Sequence, residues 1–285
     1  MEVVDDLSRC PRPSTGTVVT IGAYDGVHLG HRRLIARVRE LAAERRCASA
    51  VVTFDRHPAL VVRPESAPRL LTDLPTRLEL LAVTGLDYAV VVPFDQARAN
   101  EPAEDFVRGV LVGCLTARVV VVGHDFHFGH NREGNVDLLR RIGPGLGFEV
   151  QGLALFDDDV GGGAVSSTRV RKLLQDGDAS AAAALLGRPH RLSGAVSATD
   201  GSGDVLLRVA DEYLVPADGR YAGWYTPAGG QRAAAVVEVP ARGSHQVLAV
   251  HLADVSAGDG EGVDTRPVEV RTATVEFTER LGVRS

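Results

Sequence analysis

The sequence predicts an α/β domain built on a parallel sheet, followed by a small all-β barrel. Two observations predict it. Up to about residue 187, Val-rich apolar runs alternate with segments of helical periodicity. Beyond that point, short strand-like runs are separated by Gly, Asp and Pro turns. The expected domains are therefore 1–187 and 188–285, and 285 residues are enough for two cores.

In the first half the apolar runs are 17–22, 49–54 (SAVVTF), 87–93 (DYAVVVP), 118–123 (RVVVVG) and roughly 148–155. They are nearly continuous, as strands buried on both faces of a parallel sheet must be. Helical patterns lie between them at 29–46, about 75–84 and 101–115. The last begins Glu101-Pro102, with proline in the first turn and Glu104 and Asp105 near the positive end of the helix. A further helix closes the domain at 178–187. Repeated strand–helix order predicts a doubly wound sheet, in which ligands bind at the carboxyl ends of strands where the order reverses. The loops after the first, second and fourth runs should share a cleft. The second half reads as strands at 192–197, 204–210, 221–226, 232–239, 245–253 and 267–277, with 254–264 an acidic, Gly-rich exposed loop.

Composition excludes several classes. The formal charge of −6 argues against a nucleic-acid binder working through a basic surface. No apolar run approaches the roughly 20 residues that span a membrane. The N-terminus is acidic (Glu2, Asp5, Asp6), unlike the basic start of a signal peptide. Cys10, Cys47 and Cys114 are far apart and show no CxxC spacing, so neither a disulfide nor a zinc site is expected, and a reducing cytoplasm is the expected compartment.

Chemistry concentrates in Thr17–Arg33, TVVTIGAYDGVHLGHRR. A β-branched run ends at Gly22, a turn follows, and His28 and His31 stand at the start of an Arg-rich helix. A helix N-terminus offers backbone N–H groups and a favourable dipole to an anion, so phosphate is the expected ligand. Thr53-Phe54-Asp55-Arg56-His57-Pro58 follows the second run, and Gly123-His124-Asp125-Phe126-His127-Phe128-Gly129 follows the fourth. Glycine-bracketed aromatics suit a planar ligand; the alternative is a loop pinned by two core phenylalanines. A Gly-rich stretch at 161–163 leads into Val165-Ser166-Ser167-Thr168-Arg169-Val170-Arg171, where Ser166 or Ser167 caps a helix that offers hydroxyls and Arg171 to a second phosphate.

Taken together, IGAYDGVHLGH (21–31), TFDRHP (53–58), VPFD (92–95), VGHDFHFG (122–129) and SSTRVR (166–171) resemble the bacterial FAD synthetases, bifunctional riboflavin kinase/FMN adenylyltransferases. The resemblance covers roughly 15–190 and implies a Rossmann-like nucleotidyltransferase domain. It implies AMP transfer from ATP to FMN, giving FAD and pyrophosphate. His28, His31 and Arg171 would be catalytic; Gly22, Asp25, Gly30, Ser167 and Thr168 would bind ATP. His57, Pro58, Asp125 and Phe128 would line the flavin. Mg²⁺ would enter with ATP, held by phosphates and water, with no protein ligand named. Partners would be ATP and FMN or a related phosphorylated flavin, with no nucleic acid and no membrane.

There are departures. Tyr24 stands where the family usually has phenylalanine, and His124 replaces a commonly acidic residue. The second half resembles the family's riboflavin kinase barrel at LLGRPHRLSGAV (185–196), VPADGRYAGWY (215–225) and VLAVHLADV (247–255). It lacks the family's Gly-Phe-Pro-Thr-Ala-Asn segment, since 200–213 reads DGSGDVLLRVADEY, and the family's catalytic glutamate falls on Ala249. Much of the family's terminal helix is also missing before Ser285. The expectation is a kinase-like barrel without kinase activity. Two other readings stay open: a nucleotidyltransferase for a flavin analogue or another phosphorylated small molecule, and a flavin- or nucleotide-binding regulator without turnover.

Overall fold

The five Val-rich runs, joined by a short strand at the N-terminus, form a six-stranded sheet, parallel throughout, in the order β1-β4-β3-β2-β5-β8. These strands are β1 (Glu2–Val4), β2 (Thr17–Ile21), β3 (Ala48–Phe54), β4 (Tyr88–Val92), β5 (Ala117–Gly123) and β8 (Glu149–Leu153). A small hairpin, β6 (His127–Phe128) and β7 (Gly134–Asn135), lies between the last two. The structure is a computed structural model that describes residues 1–154, 163–197, 205–241, 246–252 and 272–282. The chain moves outward from β2 to β3 and β4, then returns to the other side of β2 for β5 and β8. The reversal therefore falls at β2, and the loops after β2, β3 and β5 are neighbours at one edge of the sheet, as the strand–helix order predicts.

Alternate residues of the same strands feed two cores. Val19, Val52, Val90 and Val120 pack with Phe106, Leu111 and Leu139 on one face; Val18, Val51 and Val119 pack with Ile35, Val38 and Leu81 on the other. The helices covering these faces include α1 (Leu29–Arg45) and α3 (Leu74–Ala82), with short α2 (Ala59–Val62), α4 (Gln96–Ala99) and α5 (Ala103–Phe106) at the loops, and α6 (Val136–Leu146) before β8. The single helix expected over 101–115 is α5 followed by a π-helical stretch, Val107–Cys114; the Leu115 N–H reaches back five residues to the Val110 carbonyl at 3.2 Å.

One expectation is overturned. Cys10 and Cys114 are joined in a disulfide, with Cα atoms 4.8 Å apart across 104 residues of sequence. Wide spacing is no bar to pairing once the fold returns the chain to the same place. The segment before β2 runs beside the end of the π-helix, where the Arg12 N–H donates to the Cys114 carbonyl (3.1 Å) and Arg12 Nε to the Gly113 carbonyl (3.0 Å). Cys47 alone is a free thiol. The cysteines therefore do not point to a reducing compartment. Among the described residues no helix is long and apolar enough to cross a membrane.

The second unit holds a closed antiparallel barrel of β9 (His190–Ser197), β10 (Val205–Val209), β11 (Gly219–Pro227), β12 (Ala233–Val239), β13 (Gln246–Leu252) and β14 (Thr272–Arg280). Inward residues alternate along each strand, and Tyr221, Val237, Leu248, Val250 and Phe277 form its interior. Compact units divide at Val165/Ser166, earlier than the expected boundary at 187, and Arg69–Asp73 belongs with the barrel. The cause is packing: α8 (Ala179–Leu186) lies against β14 and β9, and α7 (Ser167–Gln175) against α8. Leu70 donates to the Glu212 carbonyl at 2.7 Å and accepts from the Leu214 N–H at 2.8 Å. The expected 254–264 loop, residues 161 and 162 of the Gly-rich stretch, 200–204, the start of the 267–277 run and the chain terminus lie outside the described residues.

Candidate active site

The turn after β2 is built under strain. The Gly22 N–H first continues the β3 ladder by donating to the Val52 carbonyl at 3.0 Å. Tyr24 (φ 51°) and Val27 (φ 40°) then both adopt left-handed backbone, a costly state for a β-branched valine. Both side chains are fully buried, so packing holds them there. Asp25 is buried within the same turn.

His28 is the N-cap of α1. Its extended backbone (φ −70°, ψ 173°) lets the ring turn back, and Nδ1 accepts from the His31 N–H at 3.3 Å. Nδ1 of a neutral His28 is thereby the bare nitrogen, and its proton sits on Nε2. The two imidazoles stack with centroids 3.6 Å apart and planes 16° from parallel. The Tyr24 ring also lies 4.9 Å from His31, tilted by 52°. Burial, helped by the neighbouring His28, holds His31 well below the ordinary histidine range, so it is neutral near pH 7. A pair of imidazole N–H donors at a helix N-terminus suits phosphate oxygen.

The glycines of this turn make room for the protein's own rings. A β-carbon on Gly22 would lie 3.1 Å from the Tyr24 ring, and one on Gly30 would lie 3.0 Å from the Val165 carbonyl and 3.2 Å from the His28 ring.

Neighbouring loops are tied to this turn by side chains. Arg77, 4% exposed on α3, donates through NH1 to the Ala23 carbonyl (2.7 Å) and through NH2 to the Phe54 carbonyl. Thr53 Oγ1 also donates to Ala23 (3.3 Å). Asp55 Oδ1 accepts from the N–H groups of Arg56 and Phe94, both at 2.8 Å, joining the loops after β3 and β4. His57 Nδ1 accepts from the Ala59 N–H at 3.1 Å; with Pro58 it opens the short α2.

In the loop after β5, Asp125 is exposed, while Phe128 is half-buried against Phe126 (5.3 Å, stacked) and Phe106 (5.8 Å). The two phenylalanines thus do pin this loop to the core. Glu133 accepts from the Ala103 N–H at 2.9 Å, fastening the hairpin to the start of α5. A cavity of about 570 Å³ elsewhere in this unit is lined by Asp5, Asp6, Asp95, Arg98 and Glu101 among others, none of them an expected site residue.

One sheet edge therefore brings together Gly22, Asp25, His28, Gly30, His31, His57, Pro58, Asp125 and Phe128. Ser167, Thr168 and Arg171 belong to the second unit. There the N-cap of α7 is Ser166, whose Oγ accepts from the Arg169 N–H at 3.3 Å. Ser167 and Thr168 stand in the first turn of that helix, and Arg171 Nε donates to the Arg69 carbonyl at 2.8 Å. Sequence reasoning missed Arg77 and Asp55. Arg77 had a signal: it occupies an apolar-face position of α3, in register with Leu74, Leu78 and Leu81.

Residues 10–169 match the family model described as FAD synthetase. A bifunctional riboflavin kinase/FMN adenylyltransferase of Escherichia coli is 35% identical over 265 residues, covering 89% of this chain and 82% of that protein. One of the same name from Pseudomonas fluorescens is 38% identical over 196 residues, covering 69% of this chain and 62% of that protein. Among solved structures, one titled a macrolide-efflux protein from Streptococcus pneumoniae has a TM-score of 0.80 at 23% identity. It covers 99% of this chain and 91% of its own, a likeness of fold.

Proposed function

Because the chain belongs to the FAD synthetase family, we propose that it transfers the adenylyl group of ATP to FMN and has lost the riboflavin kinase step. The observation that carries the first part is the stacked His28–His31 pair at the capped start of α1, at the carboxyl end of β2. A phosphate oxygen of FMN attacks the α-phosphorus of ATP, a new P–O–P bond forms, and pyrophosphate leaves with the electrons of the broken bond. No covalent intermediate with the protein is needed; the work is positioning and stabilisation of charge on phosphate oxygens. His28 and His31 donate from Nε2 to those oxygens, and the first N–H groups of α1 add the helix terminus. Ser167, Thr168 and Arg171 take the β- and γ-phosphates. His57, Pro58, Asp125 and Phe128 face the flavin, Phe128 through whatever part of its ring remains outside the core. Mg²⁺ carried by ATP, held by its phosphates and water, would neutralise charge on the pyrophosphate.

Loss of the kinase step rests on Ala249. It lies in β13, paired with Leu206 of β10 and Glu238 of β12, and a methyl group there cannot serve as a base toward the riboflavin 5′-hydroxyl. One incubation series tests both parts: protein, Mg²⁺ and ATP with riboflavin or with FMN, analysed by chromatography. FAD from FMN and no FMN from riboflavin is the expected result. FMN formed from riboflavin overturns the loss of the kinase. Pyrophosphate release with another phosphorylated acceptor, and none with FMN, overturns the choice of flavin.

A further inference from the structure

Tyr24 does more in this fold than fill space. Its phenol oxygen is 2.7 Å from Thr20 Oγ1, so the one polar atom of a fully buried ring is satisfied. The ring occupies the room left by Gly22 and reaches the imidazole of His31. His31 is thus in contact with two rings, stacked on His28 and met at a tilt by Tyr24. Its Nδ1 is buried and has no hydrogen-bond partner. The backbone accepts a left-handed conformation at Tyr24 to place the ring there.

We propose that Tyr24 is a positioning residue for His31: its flat ring fixes the imidazole against His28 with Nδ1 turned inward, so that Nε2 is the nitrogen offered to the nucleotide. This deepens the adenylyl-transfer reading of the turn and rests on it for the substrate. Three features support the assignment. A ring in contact with two other rings cannot turn about its Cβ–Cγ bond, which would exchange Nδ1 for Cδ2, without moving a neighbour. Burial disfavours the doubly protonated imidazolium, leaving one proton to place. With Nδ1 enclosed and unpartnered, that proton belongs on Nε2, where a phosphate oxygen can accept it.

The test uses the full chain with Tyr24→Leu and Tyr24→Phe, each in the wild-type and His31→Ala backgrounds. Leucine removes the flat ring, and kcat for FMN adenylylation is expected to fall by about 10²-fold, the scale of a misplaced catalytic group. KM for ATP should change little. Phenylalanine keeps the ring and should retain most of the rate. In the His31→Ala background Tyr24→Leu should cost nothing further, because there is no imidazole left to position. An equal fold-loss in both backgrounds overturns the proposal, since a purely structural role acts regardless of His31. If the leucine variant does not fold, Tyr24→Met, unbranched and adaptable in cores, carries the same comparison.

A second measurement does not depend on turnover. In protein labelled with ¹⁵N in the histidine rings, His31 should show a single neutral Nε2–H tautomer in the wild type and in Tyr24→Phe. In Tyr24→Leu or Tyr24→Met it should show averaged ring-nitrogen signals. Unchanged His31 signals in both latter variants overturn the proposal. If the wild type turns over no acceptor, the functional reading fails, and the ring signals still decide the role of Tyr24.

Discussion

Arg77→Met is the sharpest test of how the active edge is held. Arg77 is a buried guanidinium whose two terminal nitrogens bond carbonyls at the ends of different strands, Ala23 after β2 and Phe54 at the end of β3. A hydrogen bond from a charged donor contributes about 1.5–3 kcal/mol, and a buried carbonyl left without a donor costs about 1–3 kcal/mol. Methionine keeps the apolar stem of the side chain but neither bond. Against this stands the relief of no longer burying a charge. The balance is a loss of about 2–4 kcal/mol. Arg77→Lys keeps the charge and loses the fork, and should fall between the two.

Urea unfolding separates the units spectroscopically. The chain's one tryptophan, Trp224, lies in the barrel on β11, so its fluorescence follows the second unit. Far-ultraviolet circular dichroism is dominated by helices and follows mainly the first. The expected loss should appear as a lower dichroism midpoint at unchanged slope. Ala23 belongs to the turn that carries His28 and His31, so the rate of FAD formation per folded molecule should fall as well. A midpoint shift equivalent to less than about 1 kcal/mol, below the cost of even one orphaned carbonyl, would refute the claim that Arg77 holds these loops.

Three further outcomes are expected. His31 is depressed in the folded chain and ordinary, near 6.5, in the unfolded one. As pH falls below about 6.5 the unfolded chain therefore binds a proton that the folded chain refuses, and stability drops through that window; thermal unfolding between pH 8 and pH 5 should show a slope that His31→Asn flattens. Thiol titration of the unfolded, unreduced protein should count only Cys47, and Cys10→Ser should lower stability by about 2–4 kcal/mol; three titratable thiols would contradict the Cys10–Cys114 bond. Gly223 sits at the irregular register of β11 and β14, where a β-carbon would collide with the Glu276 carbonyl, so Gly223→Ala should destabilise the barrel by about 1–3 kcal/mol in Trp224 fluorescence.

The parallel sheet was legible because its central strands are buried on both faces, and a run such as Val119-Val120-Val121-Val122 has no other economical use. The barrel was legible from alternation and turn residues. What escaped shares one property: it depends on contacts distant in sequence or on cues that contradict the local pattern. The α6 helix contains Gly143-Pro144-Gly145, which reads as a turn; it is held by the Asn135 cap on the Leu138 N–H and by packing of Val136, Leu138 and Leu139. β1 is only three residues long and exists because β4 offers it an edge. The π-helical register of Val107–Cys114 and the Cys10–Cys114 bond are likewise products of tertiary packing.

The same division runs through the candidate site. His28, Gly30 and His31 could be picked out because a helix start with two imidazoles one turn apart is a chemical pattern in its own right. Gly22 stands out in sequence as an approach for ligand, and the fold adds a second use for its missing β-carbon: Tyr24 places its ring there, and that ring meets His31. Arg77 was invisible as a functional residue because the loops it ties are reached through backbone carbonyls, which carry no signature of their own. The groups proposed to touch substrate are thus marked by their chemistry. The groups that hold them in place are ordinary residues in unusual settings, a tyrosine at positive φ and an arginine on an apolar helix face. It is the setting, a strained backbone or a charge at a core position, that identifies them.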